Sequence, residues 1–320
     1  PIIKEINHGY LAVDFFFILS GFVISYAYDD RWGKSLNICN FFKRRLIRLH
    51  PMVAMGAIVG LFMFVLQGGV AWNGNHASVT AMITVLFCTI FLIPAKPGCW
   101  YEIRGNGEMF PLNGPTWSLF FEYIGNILYA ILIHRFKTKT LAAIATILSI
   151  LLTYFTVTDI CGYGMFGVGW TFDGLNFWGG LLRMLCPFTI GMLMSRIFRQ
   201  GKQPKIRGAF WICTLILLLL FYVPYIKSEG NLSLNGVFEA ACIIFVFPTI
   251  VWIGACGITT DRHSTRIYNF LGDISFPLYI IHYPFMYYYY AWLIDKQLFT
   301  LGQTWPEALI TCGVSILVAW

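Results

Sequence analysis

GYLAVDFFFILSGFVISYAY, residues 9–28, is twenty residues long and carries one charge, Asp14. Twenty mostly apolar residues form a helix of about 30 Å, which matches the hydrocarbon thickness of a bilayer. The stretch lacks the alternating pattern of a membrane β-strand. It therefore reads as one transmembrane helix with an acid inside it.

The remaining sequence repeats that pattern. Further apolar runs cover 49–66, 77–95, 116–134, 140–157, 177–198, 209–226, 236–256, 271–294 and 305–320, about ten segments in all. The chain is 58% hydrophobic and only 12% charged, with a mean hydropathy of +0.69. Soluble domains carry roughly 25% charged residues, so the solvent of this surface is lipid. The expected fold is all-α: one polytopic helical membrane domain over residues 1–320. The net charge of +7 sits in short loops, which speaks for membrane topology and against nucleic acid. The nine cysteines form no CxxC or metal-ligand spacing, and most lie in apolar runs as small hydrophobes. No metal is expected. The chain opens on Pro1 and stops at Trp320 inside an apolar run, and so reads as a fragment continuing at both ends.

Lys and Arg orient the spans. The segments 29–48, 135–139 and 196–208 are the basic ones and are expected on the cytoplasmic side. Three apolar runs separate the first two, an odd number, so one of them must fail to cross. The expected exception is 77–95 with the Gly/Pro-rich tract 94–115, as a re-entrant segment facing a cavity.

Several polar groups lie where lipid should be. Asp14 must face protein or water, as a site-organising acid or as half of an ion pair. The run NFFKRRLIRLHP, 40–51, sets Arg45 and Arg48 three apart and Arg44 and Arg48 four apart on one helical face, with Lys43 beside them. Two guanidinium forks at a membrane edge suit a phosphate; a pure topology signal is the alternative. Glu122 lies just inside the 116–134 run, past Trp117 and Ser118, as an acid/base group or an Arg partner. Trp117 reads as an interfacial anchor. Ser20-Gly21 permits close helix packing. His282 lies inside a span, followed by Tyr287–Tyr290, which form an interfacial belt or a sugar-stacking platform. His8, His50 and His134 read as residues at span ends.

Four stretches now line up in order: GYLAVDFFFILSGFVISY (9–26), FFKRRLIRLHP (41–51), GPTWSLFFEYIGN (114–126) and LGDISFPLYIIHYPF (271–285). Together they resemble the integral-membrane acyltransferase-3 family, the O-acyltransferases that modify bacterial surface polysaccharides and some small metabolites. The resemblance covers essentially the whole chain, although 140–260 matches only in hydropathy. It implies a bacterial inner-membrane enzyme moving an acyl group, often acetyl, from acyl-CoA to a hydroxyl of a carbohydrate or other acceptor. Acyl-CoA is then a donor substrate, with no tightly bound cofactor.

The family's Arg-x-x-Arg falls on Arg45 and Arg48. With Arg44 and Lys43, these are expected to hold the CoA phosphates. The acid of its VDxFF stretch falls on Asp14, that of its WSLxxE stretch on Glu122, and its late His on His282, giving three candidate catalytic residues. Trp117, Ser118 and Ser20 are candidate supporting residues. The family also has an earlier span ending in a functional His, which this sequence does not contain; that His is the expected base, with Glu122 or Asp14 orienting or charge-stabilising it and His282 as the weaker alternative. His8 is too close to Asp14 to replace it. A rival reading is a transporter or flippase with Asp14, Glu122 and His282 as a relay. A merely structural subunit is disfavoured by so many costly intramembrane charges.

Overall fold

The computed structural model describes residues 7–226, 232–298 and 300–320. Among these, eleven α-helices follow in order: α1 (Ala12–Tyr28), α2 (Ile38–Leu66), α3 (Val79–Ile90), α4 (Thr116–Ile131), α5 (Thr138–Val157), α6 (Gly174–Gln200), α7 (Ala209–Phe221), α8 (Leu234–Ala241), α9 (Phe247–Ala255), α10 (Arg262–Lys296) and α11 (Leu301–Ala319). Strand content among the described residues is one parallel pair, β1 (Ile206–Arg207) on β2 (Gly257–Ile258). The chain is an all-α integral membrane protein.

Hydropathy alone misjudges several boundaries. Among the described residues, five helical segments are long and apolar enough to cross a membrane, and α3 and α7 are shorter apolar helices. The 29–48 loop is largely helix, because Asn37 caps α2 by accepting the Asn40 N–H at 2.8 Å. Lys43, Arg44, Arg45 and Arg48 therefore ride on the first turns of α2. Pro51 stays inside that helix, where it removes a backbone bond without ending the run. A π-helical turn at Cys242–Val246 joins α8 to α9 within the 236–256 run. An Asp261 cap starts α10 nine residues before its apolar run.

The three basic segments meet at one end of the bundle. Arg196 Nε donates to Asp29 at 2.8 Å, and its Nη1 donates to the Phe136 carbonyl at 2.5 Å. Tyr129 and Ser25 also donate to Asp29, and Arg199 pairs with Asp30 at 2.6 Å. Twelve residues in α3 rise about 18 Å, short of the ≈30 Å core.

The densest contact joins α1 to α6. A Cβ added at Gly21 would strike the Phe188 main chain, and one at Gly191 the Ile18 carbonyl. Glycine at both positions lets the helix backbones approach closely. One apolar core gathers Ile18, Phe22, Cys186 and Phe247; another gathers Phe17, Phe41, Phe121, Tyr129 and Phe188.

Candidate active site

The interior charges are paired rather than scattered. Asp14 is fully buried, and Arg183 of α6 holds both its oxygens: Nε donates at 2.9 and 3.2 Å, and Nη2 at 2.8 Å. The remaining Arg183 donors go to the Tyr10 and Val168 carbonyls, both at 3.1 Å. The Trp117 ring, half-buried, lies 5.2 Å from the Arg183 guanidinium carbon. Beside it, Glu239 of α8 is fully buried. It accepts from the Tyr10 hydroxyl and from the Phe166 N–H at 2.9 Å. With every oxygen of Asp14 taken up by Arg183, this acid organises α1 against α6.

A second pair opens on a cleft. Arg45 Nη2 donates to Glu122 Oε1 at 2.6 Å, and Ser20 donates to the same oxygen at 2.9 Å. Among the described residues, the Arg45 Nε is buried without a hydrogen-bond partner. The Ser118 hydroxyl meets the Tyr279 hydroxyl at 2.7 Å. These groups line a cleft of about 180 Å³ between α1, α2, α4 and α10, whose other walls include Phe16, Phe17, Leu49 and Phe276. Arg48 also lines it and is exposed. Lys43 and Arg44 are exposed on the same turns of α2 but do not line the cleft. The Arg-x-x-Arg spacing thus divides: Arg45 is a wall tied to Glu122, and Arg48 is an exposed cation on the cleft. An apolar cleft with a few convergent polar groups is the ordinary form of a small-molecule site.

His282 lies outside this cleft, in a neighbouring trough, with its Nδ1 on the Leu278 carbonyl at 3.0 Å. His8 is buried, not an interfacial loop residue, with Nδ1 on the Val223 carbonyl at 2.8 Å. His50 sits within α2 and His134 stacks on Trp32 at 4.2 Å.

Sequence reasoning passed over Arg183, Glu239 and a third cluster. Arg104 is fully buried, donates to Gln67 at 2.9 Å and to the Pro111 carbonyl at 3.0 Å, and lies 4.1 Å above the Tyr287 ring. Tyr287 in turn donates to Glu108. Tyr287 is therefore a core residue, unlike the exposed Tyr288 and Tyr290 beside it. Burial pushes the Glu108 carboxyl above its usual range and the Arg104 guanidinium below its own. One signal was available: a lone Arg or Glu inside an apolar run is costly and needs a partner.

The acyltransferase-3 family model, described as an acyltransferase domain, matches residues 2–320. Over 129 residues the chain is 33% identical to Protein 2 in the picA locus of Rhizobium radiobacter, covering 38% of this chain and 65% of that protein. Acyltransferase MdmB of Streptomyces mycarofaciens is 23% identical over 295 residues, 88% of this chain and 69% of its own length. O-acetyltransferase OatA of Staphylococcus aureus is 22% identical over 316 residues, 92% of this chain and 48% of its own length. The chain thus spans about half to two thirds of the curated relatives it matches. No solved structure matches. With a family model matched along nearly its entire length, the chain belongs to the acyltransferase-3 family.

Proposed function

We propose that this chain transfers an acyl group, acetyl in the simplest case, from acyl-CoA to a hydroxyl of a carbohydrate or other acceptor. The observation that carries the reading is the Arg45–Glu122–Ser20 cluster facing an apolar cleft. A relative named O-acetyltransferase supports acetyl as the group moved. So does cleft size: about 180 Å³ is below the ≈300–1,000 Å³ that encloses a drug-sized ligand. The thioester end fits inside, and the nucleotide stays outside among exposed Arg48, Arg44 and Lys43. These carry the phosphates on the basic, cytoplasmic end of α2.

In the reaction the acceptor oxygen bonds to the thioester carbon, the carbon–sulfur bond breaks, and CoA leaves as its thiol. Glu122, held by Arg45 and Ser20, accepts the hydroxyl proton and passes it to the departing sulfur. Such base catalysis contributes roughly 10²–10⁴-fold. Arg45, whose side chain lines the cleft, donates from its guanidinium to the oxyanion that forms on the thioester oxygen, and donors of this kind contribute about 10²–10³-fold each. Asp14 is a positioning residue, fixing α1 and hence Ser20.

The test is calorimetric titration of the detergent-purified chain with acetyl-CoA, beside an Arg45→Lys/Arg48→Lys variant. The variant keeps the positive charge and loses the planar forks. Saturable binding weakened in the variant is expected. Equal affinity in both proteins would remove the Arg run from donor binding.

A further inference from the structure

The candidate cleft does not end at Tyr279. Phe16, Ser275 and Tyr279 line it and also line a second trough, between α10 and α11. Along α10 this trough runs from Ser275 to Tyr290. Fifteen residues rise about 22 Å, most of the ≈30 Å hydrocarbon depth. Its empty space, open side included, is about 1070 Å³. The trough is an open slot wide enough for a hydrocarbon chain.

The polar atoms on its walls are mostly spent. Thr311 and Ser315 donate to carbonyls of their own helix, at 2.8 and 2.7 Å. Ser275 donates to the Gly272 carbonyl and Tyr289 to that of Thr304. The Leu278 carbonyl can only accept, so His282 Nδ1 carries the hydrogen and Nε2 keeps its lone pair. Among the described lining residues, that Nε2, the Tyr290 hydroxyl and the Cys312 thiol are left without a hydrogen-bond partner. The slot therefore offers apolar contact along most of its length and one hydrogen-bond-accepting nitrogen about midway, one turn past Tyr279.

We infer that this slot holds the hydrocarbon chain of the acceptor. The acceptor is an amphiphilic alcohol taken from the lipid phase. Its chain lies between α10 and α11, a head-group hydroxyl donates to His282 Nε2, and the reacting hydroxyl reaches past Tyr279 to Glu122. The inference rests on the acyl-transfer reading above. A two-carbon donor group leaves no chain to fill the slot, which assigns the chain to the acceptor.

The test uses the full chain in detergent, acetyl-CoA as donor, and glucosides with alkyl groups from methyl to decyl as probes. KM is expected to fall about fourfold per added methylene, the yield of burying one CH₂, and to level off once the slot is full. Cys312→Trp fills the slot and is expected to flatten that series while leaving methyl glucoside kinetics unchanged. A decyl glucoside with a terminal diazirine is expected to label peptides 286–290 and 308–316, with the label displaced by decyl and not by methyl glucoside. Equal KM for methyl and decyl glucosides, or labelling elsewhere, overturns the inference and leaves the acyl-transfer reading standing. Displaceable labelling of those peptides with no glucoside acetylated supports a chain-binding slot and overturns the acyl-transfer reading instead. Crosslinks from the slot to a helix of a second copy, undisturbed by decyl glucoside, also overturn the inference.

Discussion

Asp14→Asn tests the interior directly. In the native protein Arg183 makes three contacts with the Asp14 carboxylate, at 2.8–3.2 Å, and neither side chain is more than 4% exposed. Asparagine keeps the size and removes the charge, leaving a buried guanidinium uncompensated. Breaking one half of such a pair costs about 3–5 kcal/mol. Unfolding entropy of about 2.1 cal/mol/K per residue, taken over 320 residues, converts this to a Tm lower by about 4–7 °C. The assay is a tryptophan-fluorescence melt in detergent. A double variant, Asp14→Leu with Arg183→Met, removes both charges and is expected to melt closer to the native protein than either single variant, because two well-packed apolar groups avoid desolvation altogether. An Asp14→Asn melt within 1 °C of native, or losses that simply add in the double variant, would refute the argument that this pair holds α1 to α6.

Other expectations follow from the same geometry. Glu122→Gln is expected to lower single-turnover acetyl transfer by roughly 10²–10⁴-fold with acetyl-CoA affinity retained; unchanged transfer removes Glu122 from the chemistry. Arg48→Ala is expected to weaken acetyl-CoA binding roughly three- to tenfold at low salt, an effect that shrinks as ionic strength rises. Gly21→Ala forces a Cβ into the Phe188 main chain, so its melt should fall by several degrees despite the better helix propensity of alanine. Burial raises the Glu108 carboxyl, so folding takes up a proton there. That stability is complete below the ordinary glutamate range and is lost as pH climbs from it through the raised value. Glu108→Gln is expected to flatten this slope, read as Tm against pH.

The membrane class was legible because repeated apolar runs of helical length, with so few charges between them, need lipid to cover them. The cleft was half legible. Glu122, Arg45 and Arg48 stand out as charges beside lipid, and the mutual partnership of an Arg and Glu122 was among the readings the sequence allowed. Which Arg it would be was not readable, since Arg45 and Arg48 share one helical face. Arg183 and Glu239 were missed because their partners, Asp14 and Tyr10, lie on another helix far along the chain. Hydropathy registers contact with lipid and is silent on such pairing. The starts of α2 and α10 were placed late for a related reason: the side chains of Asn37 and Asp261 set them by accepting backbone N–H groups, while charged residues follow within the first turns, at 43–48 in α2 and 262–266 in α10.

The distance between those partners has a consequence for how the chain is made. Asp14 precedes Arg183 by 169 residues, and Asp29 precedes Arg196 by 167. At about 5–20 residues per second, synthesis takes roughly 8–34 s to cover that gap. Throughout that interval α1 has emerged and its counter-charges have not. An unpaired carboxylate is costly inside the membrane and Asp14 lies in the first turn of α1, so that end of the helix reaches its final depth only once Arg183 is present. It must wait at the water interface or against the insertion machinery until α6 arrives. The bundle therefore closes late, in one step, around an arginine that completes its first helix.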